Sequence, residues 1–321
     1  MPDSVPTTIA SSHPHYDRLI AAARQWPPLR VAVVHPANDV SLQAVLESTR
    51  LGLITPLLVG PRAKLEAIAQ QAHLDLSGLY MVDAPHSHAA AELAVAMALR
   101  GEVDALMKGS LHTDELMAAV VKQEGGLRTS RRISHCFVMD VPGHPRPLII
   151  SDAAINIAPG LDEKVDIVQN AIDLAHALHV SPVRVAVLSA METVSSKVPS
   201  TIDAAALCKM AERGQITGAQ VDGPLAMDNA IDMDAARIKG ISSPVAGQAD
   251  VLIVPDLDAG NMLAKSLTFL AGAYAAGIVL GAKVPIILTS RADSESARLA
   301  SCAVASMLVQ AGRDGLIKAV G

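Results

Sequence analysis

Val284–Arg298 reads V-P-I-I-L-T-S-R-A-D-S-E-S-A-R and passes from an apolar run into a helix-like run across a few polar residues. Pro285–Leu288 is short, apolar and bounded by turn signals, as a strand covered on both faces is, and Ser294–Gln310 is long and small-residue-rich enough for a packed helix. Thr289, Ser290, Arg291 and Asp293 lie between them. A helix N-terminus leaves its first amide N–H groups unpaired and carries partial positive charge. Hydroxyls and an arginine beside it therefore suit an anion, and phosphate is the natural one. The plainer alternative is that Asp293 or Ser294 caps the helix while Arg291 points into water.

The same strand-to-helix unit recurs upstream. Leu29–Val34, Pro56–Val59, Leu79–Val82 and Ala105–Met107 read as strands, alternating with helices at Ser41–Leu51, Arg62–Ala72, Ala89–Arg100 and Thr113–Lys122. Such alternation predicts an α/β fold with a parallel sheet covered by helices on both faces. The beat breaks at Glu124–His135, E-G-G-L-R-T-S-R-R-I-S-H, after which Cys136–Met139 and Pro147–Ile150 are too close to enclose a crossover helix and so pair antiparallel. A helix at Asp162–Leu178, a strand at Val183–Leu188, a helix at Ile202–Arg213, strands at Ala219–Asp222 and Val251–Val254 and a helix from Met262 follow. At 321 residues two domains are expected on a prior of about 150 residues each. Residues 1–14, rich in Pro, Ser and Thr, read as a disordered or tethered tail; 15–133 with 288–321 form a discontinuous first domain and 134–287 a second.

Half the residues are apolar but only 2% are aromatic, and the net charge is −6. A nucleic-acid partner is excluded on both counts, since stacking platforms need aromatics and backbone binding needs a basic surface. The three cysteines, Cys136, Cys208 and Cys302, are far apart in apolar surroundings, which predicts reduced core thiols and no thiolate metal site. With no signal-like N-terminus and no apolar run of about 18 residues, the expectation is a cytoplasmic protein without a membrane partner.

Polar stretches follow the ends of five of these strands: M-K-G-S-L-H-T from Met107, S-D-A-A-I-N-I-A-P from Ser151, V-D-G-P-L-A-M-D-N-A from Val221, P-D-L-D-A-G-N-M-L-A-K from Pro255 and T-S-R-A-D-S from Thr289. Strand ends are where open parallel sheets bind ligands. Lys108-Gly109, Gly126-Leu127-Arg128-Thr129 ahead of Ser134-His135, Asp152 through Pro159, Asp222-Gly223-Pro224-Leu225 with Asp228-Asn229, Pro255-Asp256-Leu257 with Gly260-Asn261 and Lys265, and Ser290-Arg291 stand in the order and spacing of a known family. From about Val31 onward the sequence resembles the phosphate acetyltransferase/phosphate butyryltransferase family, closest to the butyryltransferase branch.

The resemblance implies a two-domain α/β fold with a parallel or mixed sheet, like that of isocitrate and isopropylmalate dehydrogenases, with an active-site cleft between the domains. It also implies a homodimer. The reaction implied is acyl-CoA + phosphate ⇌ acyl phosphate + CoA, by direct attack of phosphate on the thioester in a ternary complex. The acyl group is short, acetyl to butyryl, no cofactor is tightly bound, and CoA is a substrate. Ser290 and Arg291 take the family's phosphate- and thioester-binding roles. The acetyltransferase branch carries its catalytic Asp seven residues after that Ser, where this chain has Ala297, so Asp293 is the expected base, with Glu295 the other nearby carboxylate. Lys108, Gly109, Arg128, Asp152, Asn156, Asp222, Gly223, Asp228, Asn261 and Lys265 are expected along the cleft; several of these suit hydrogen-bond anchors as well as ligand contacts. Arg131 and Arg132 read as a solvated turn or as contacts for CoA phosphates, and His112 as a surface residue at a helix start or as part of the cleft lining. Two other readings remain. One is a metal- and NAD(P)-dependent decarboxylating dehydrogenase using Asp222, Asp228 and Asp256. The other is a CoA- or acyl-phosphate-binding subunit without catalysis, or one part of a multifunctional acyl-CoA enzyme.

Overall fold

The computed structural model describes residues 13–290 and 293–317. After α1 (Pro14–Ala23) come β1 (Leu29–Val34), α2 (Asp39–Arg50), β2 (Ile54–Gly60), α3 (Arg62–Gln71), β3 (Tyr80–Asp83), α4 (Ser87–Leu99), β4 (Ala105–Lys108) and α5 (Thr113–Val120). The chain continues through β5 (Ser134–Asp140), β6 (Leu148–Ser151), α6 (Leu161–Ala177), β7 (Arg184–Leu188), α7 (Pro199–Glu212), β8 (Gln220–Leu225), α8 (Met227–Ile231), α9 (Met233–Ile238), β9 (Val251–Ile253), α10 (Leu257–Leu270), β10 (Tyr274–Leu280), β11 (Ile286–Ile287) and α11 (Glu295–Arg313). Helix α10 starts earlier than the expected Met262 because Asp256 caps it, accepting from the Ala259 amide at 2.9 Å. The strand β10 was not expected at all.

The strands form one mixed eleven-stranded sheet, ordered β3-β2-β1-β4-β11-β10-β5-β6-β9-β7-β8. Strands β3, β2, β1, β4 and β11 are mutually parallel, as are β6, β9, β7 and β8. Three antiparallel joints, β11 to β10, β10 to β5 and β5 to β6, separate the two groups, which therefore run in opposite directions. Register then decides where their ends fall. Met107 aligns with Ile287, Ile287 with Ile278 and Ile278 with Cys136; from the other side Ser151 aligns with Cys136 and Ile253 with Ser151. The carboxyl ends of both groups thus stop at nearly one level, on either side of the long β5–β10 ladder. From that shared level the two sets of ends point opposite ways, and it is outside such ends that open parallel sheets bind ligands.

Successive residues of a strand face opposite sides of the sheet, and the two sides pack differently. Val31, Val33, Met107, Cys136, Val185, Val251 and Ile287 belong to one continuous core that runs under both strand groups. On the other side the core is split. Ala32, Val34 and Leu106 pack with α4 and α5, whereas Met139, Ile150, Ala186 and Leu252 pack with α8, α9 and α10. A cleft opens between the two halves.

Candidate active site

The cleft holds a cavity of about 370 Å³ lined from both halves. From β4 comes Lys108, only 5% exposed, whose Nζ donates to the carbonyls of Leu111 at 3.1 Å and Gly109 at 3.4 Å. Gly109 follows because a Cβ there would stand 2.4 Å from the Val34 carbonyl oxygen; only glycine lets the chain cross the end of β1 so closely. From α10 come Asn261 and Lys265, and the Asn261 amide donates to the Ala153 carbonyl at 3.2 Å. Lys265 is exposed at the rim.

The elbow after β11 supplies Thr289, Ser290 and Asp293. Ser294 is the N-cap of α11, accepting from the Ala297 amide at 3.2 Å, which leaves Asp293 without that task. The Asp293 carboxylate instead accepts from the Ser290 amide at 2.6 Å. Burial pushes its pKa up, against the Ser290 N–H and the charges of Arg298, Lys265 and Lys108, which favour the ionised form. Arg298, 3% exposed and one turn into α11, donates to the Thr289 hydroxyl and to the Ser290 carbonyl, both at 3.0 Å. Its fork ties the elbow to the helix. Arg291 lies outside the described residues.

Lys108, Asn261, Lys265, Ser290 and Asp293 are thus brought to one cavity, and other residues of the motif set stand elsewhere. Asp152, buried beneath the cavity wall, accepts five N–H groups: those of His135, Ala154, Ile155 and Asn156 and the Asn156 side-chain amide. Asn156 also donates to the Ile133 carbonyl at 2.9 Å and accepts from Arg132 Nε at 2.7 Å. Arg128 is exposed and bridges Ala282 through the backbone. Arg131 pairs with Asp173 at 2.5 Å and Arg132 with Glu163 at 2.9 Å, so neither is a merely solvated turn residue. Asp222 and Gly223 sit on the edge strand β8, four strand spacings or roughly 19 Å from β5. Asp228, beyond β8, pairs with Lys239 at 2.9 Å. With Asp256 capping α10, the carboxylates a metal-dependent dehydrogenase would need are each engaged separately. Cys136 and Cys302 are buried, and burial pushes their thiols up to about 12 and about 11.

Two residues of this site receive no role from the sequence. Arg298 falls in a helix where an arginine reads as solvent-facing; its only signal is the apolar Leu299–Val304 that surrounds it. His135, wholly buried on β5, lines the cavity beside Phe137. In a chain with two phenylalanines, both Phe137 and Phe269 line this one cavity. His112 is exposed at the start of α5 and lines the cavity as well, so both readings of it hold.

Fold and site together define an α/β protein whose ligand cavity, lined by lysines, a hydroxyl and a buried carboxylate, lies where two opposed sets of strand ends meet. A family model described as Phosphate acetyl/butaryl transferase matches residues 87–306. The phosphate acetyltransferase of Rhizobium meliloti is 62% identical over 305 residues, covering 95% of this chain and 96% of its own. The phosphate butyryltransferase of Clostridium beijerinckii is 38% identical, covering 92% and 97%. A branched-chain phosphotransacylase from Enterococcus faecalis V583 has the same fold, with a TM-score of 0.77 at 29% identity over 88% of this chain and 99% of that one. The chain belongs to the phosphate acetyl/butyryl transferase family. Identity is higher to the acetyl-named relative than to the butyryl-named one, the reverse of the lean in the motif reading.

Proposed function

We propose that this cavity transfers a short acyl group between CoA and inorganic phosphate, with acetyl-CoA the preferred thioester. The observation that carries the reading is the convergence of Lys108, Lys265, Ser290 and Asp293 on one cavity. The lysines and the Ser290 hydroxyl hold and orient phosphate, and Arg291 joins them as the family's serine–arginine pair. A phosphate oxygen bonds to the thioester carbonyl carbon, and Asp293 takes the phosphate's remaining proton. Collapse of the tetrahedral adduct breaks the C–S bond, and the proton passes from Asp293 to the departing thiolate. A carboxylate whose pKa burial has raised is a stronger base than an ordinary one, which suits this step.

Arg128 meets the CoA phosphates in this reading, and Gly109, Asp152, Asn156, Asp222, Gly223 and Asp228 shape the cleft rather than touch the reacting atoms. In this reading residues 15–133 with 288–321 make up one domain and residues 134–287 the other. The enzyme works as a cytoplasmic homodimer without a tightly bound cofactor. No helix among the described residues is long and apolar enough to cross a membrane. Comparing kcat/KM for acetyl-, propionyl- and butyryl-CoA in one phosphate-dependent thiol-release assay tests the substrate assignment. A clear preference for butyryl-CoA would overturn the acetyl choice; equal absence of turnover on all three would overturn the reading.

A further inference from the structure

His135 is 0% exposed, lines the cavity, and among the described residues neither of its ring nitrogens meets a partner in hydrogen-bonding geometry. Its surroundings hold it closely. Its backbone N–H donates to Asp152 at 3.2 Å, its carbonyl accepts from the Ser151 hydroxyl at 2.9 Å, and its ring meets Phe137 edge-on with centroids 4.5 Å apart. On β10, Gly277 makes the space: a Cβ there would stand 3.1 Å from His135 Nε2 and 2.3 Å from the Leu288 carbonyl oxygen. Burial lowers the pKa of the ring to about 4, against the opposing pull of Asp152 and of the Leu288 carbonyl, so the imidazole is neutral at neutral pH. A polar ring fixed so firmly in an apolar wall, with neither nitrogen in hydrogen-bonding geometry and only the Leu288 carbonyl drawing on it, has an N–H to offer a ligand. The elbow carrying Ser290 and Asp293 begins beside it, since the Leu288 amide donates to the Gly277 carbonyl at 3.2 Å.

We propose that the His135 imidazole is a catalytic residue that donates a hydrogen bond to the carbonyl oxygen of the acyl thioester and holds the oxyanion that forms when phosphate attacks. The inference rests on the acyltransferase reading and adds a residue to it. A neutral imidazole suits the role because it offers an N–H without being consumed as an acid, while proton transfer stays with Asp293.

The test compares wild type, His135→Phe and His135→Asn in phosphate-dependent thiol release from acetyl-CoA. His135→Phe keeps an aromatic ring against Phe137 but has no donor; kcat is expected to fall about 10²-fold or more, the usual effect of losing one oxyanion donor. KM for acetyl-CoA and for phosphate should stay within a few-fold. Its Tm should equal or exceed that of wild type, because a polar ring without partners has left the core. His135→Asn, which keeps an N–H, should recover part of the lost kcat. A His135→Phe enzyme with kcat within threefold of wild type overturns the proposal, as does a pair of variants equally slow and equally destabilised, the mark of a structural role. Wild type that releases no thiol sinks the acyltransferase reading instead. Should either variant fold poorly, wild type labelled with ¹⁵N-histidine decides: the buried ring's N–H resonance should shift with an acetyl-CoA analogue carrying CH₂ in place of sulfur and stay put with CoA alone, and an unmoved resonance overturns the proposal.

Discussion

Replacing Arg298 by lysine keeps a positive charge near Asp293 but removes the fork that grips the elbow. The guanidinium donates to the Thr289 hydroxyl and the Ser290 carbonyl, both at 3.0 Å, from a side chain 3% exposed. Hydrogen bonds from a charged donor contribute about 1.5–3 kcal/mol each, and an ammonium at this site can keep at most one of the two. If the lost bond acts on the ternary complex, kcat falls about 10- to 100-fold, at about 1.4 kcal/mol per factor of ten. The assay is thiol release from acetyl-CoA at saturating phosphate, run beside a thermal melt that confirms the variant is folded. Arg298→Met removes the charge as well. Since the Arg298 charge favours ionised Asp293, the methionine variant should also move the acid limb of the pH profile upward. An Arg298→Lys enzyme that is folded and turns over at the wild-type rate would refute the idea that this arginine positions the elbow.

Asp293→Asn should reduce kcat by 10²-fold or more with little change in Tm, because Ser294 and not Asp293 caps α11. On the proposal that ionised Asp293 is the base, and with burial raising its pKa, activity should fall with decreasing pH through a limb above the ordinary carboxylate value of about 3.9; this limb should disappear in the asparagine variant. His135 behaves with the opposite sign. Its pKa drops from about 6.5 unfolded to about 4 folded, so the stability it contributes is present above about pH 6.5 and is lost as pH falls toward 4; His135→Phe should blunt this acid loss in urea melts at pH 4.5 relative to pH 7. Burial raises all three thiols, with Cys136 and Cys208 at about 12 and Cys302 at about 11, so aromatic disulfide reagents should label the native enzyme slowly and all three cysteines only after unfolding.

Strands such as β1 and β4 are legible in the sequence because they are apolar runs buried on both faces, and alternation with helices then implies the α/β class. Strand β10 was missed because Y-A-A-G-I-V-L offers alanines and a glycine where a strand is expected to show branched residues. Its place comes from the ladders on both sides, and the glycine is there because the end of β11 and His135 come so close. The elbow at Ser290 could be read because strand, polar turn and helix adjoin in the chain. The rest of the cavity could not. That β4, β11 and β6 end at one level depends on register across the β5–β10 ladder, and no single segment encodes it. Strand order likewise separates Asp222 from Lys108, although both follow the same rule of polar residues at strand ends. Arg298 was overlooked because charge on a helix predicts exposure, and only the packing of α11 shows it turned inward.

The most direct test of the central claim is thiol release by the wild-type protein from acetyl-CoA with EDTA present, measured as phosphate is titrated from zero. The account predicts release that saturates with phosphate and yields acetyl phosphate in equal amount. Release that does not depend on phosphate, or thiol without acetyl phosphate, would contradict it.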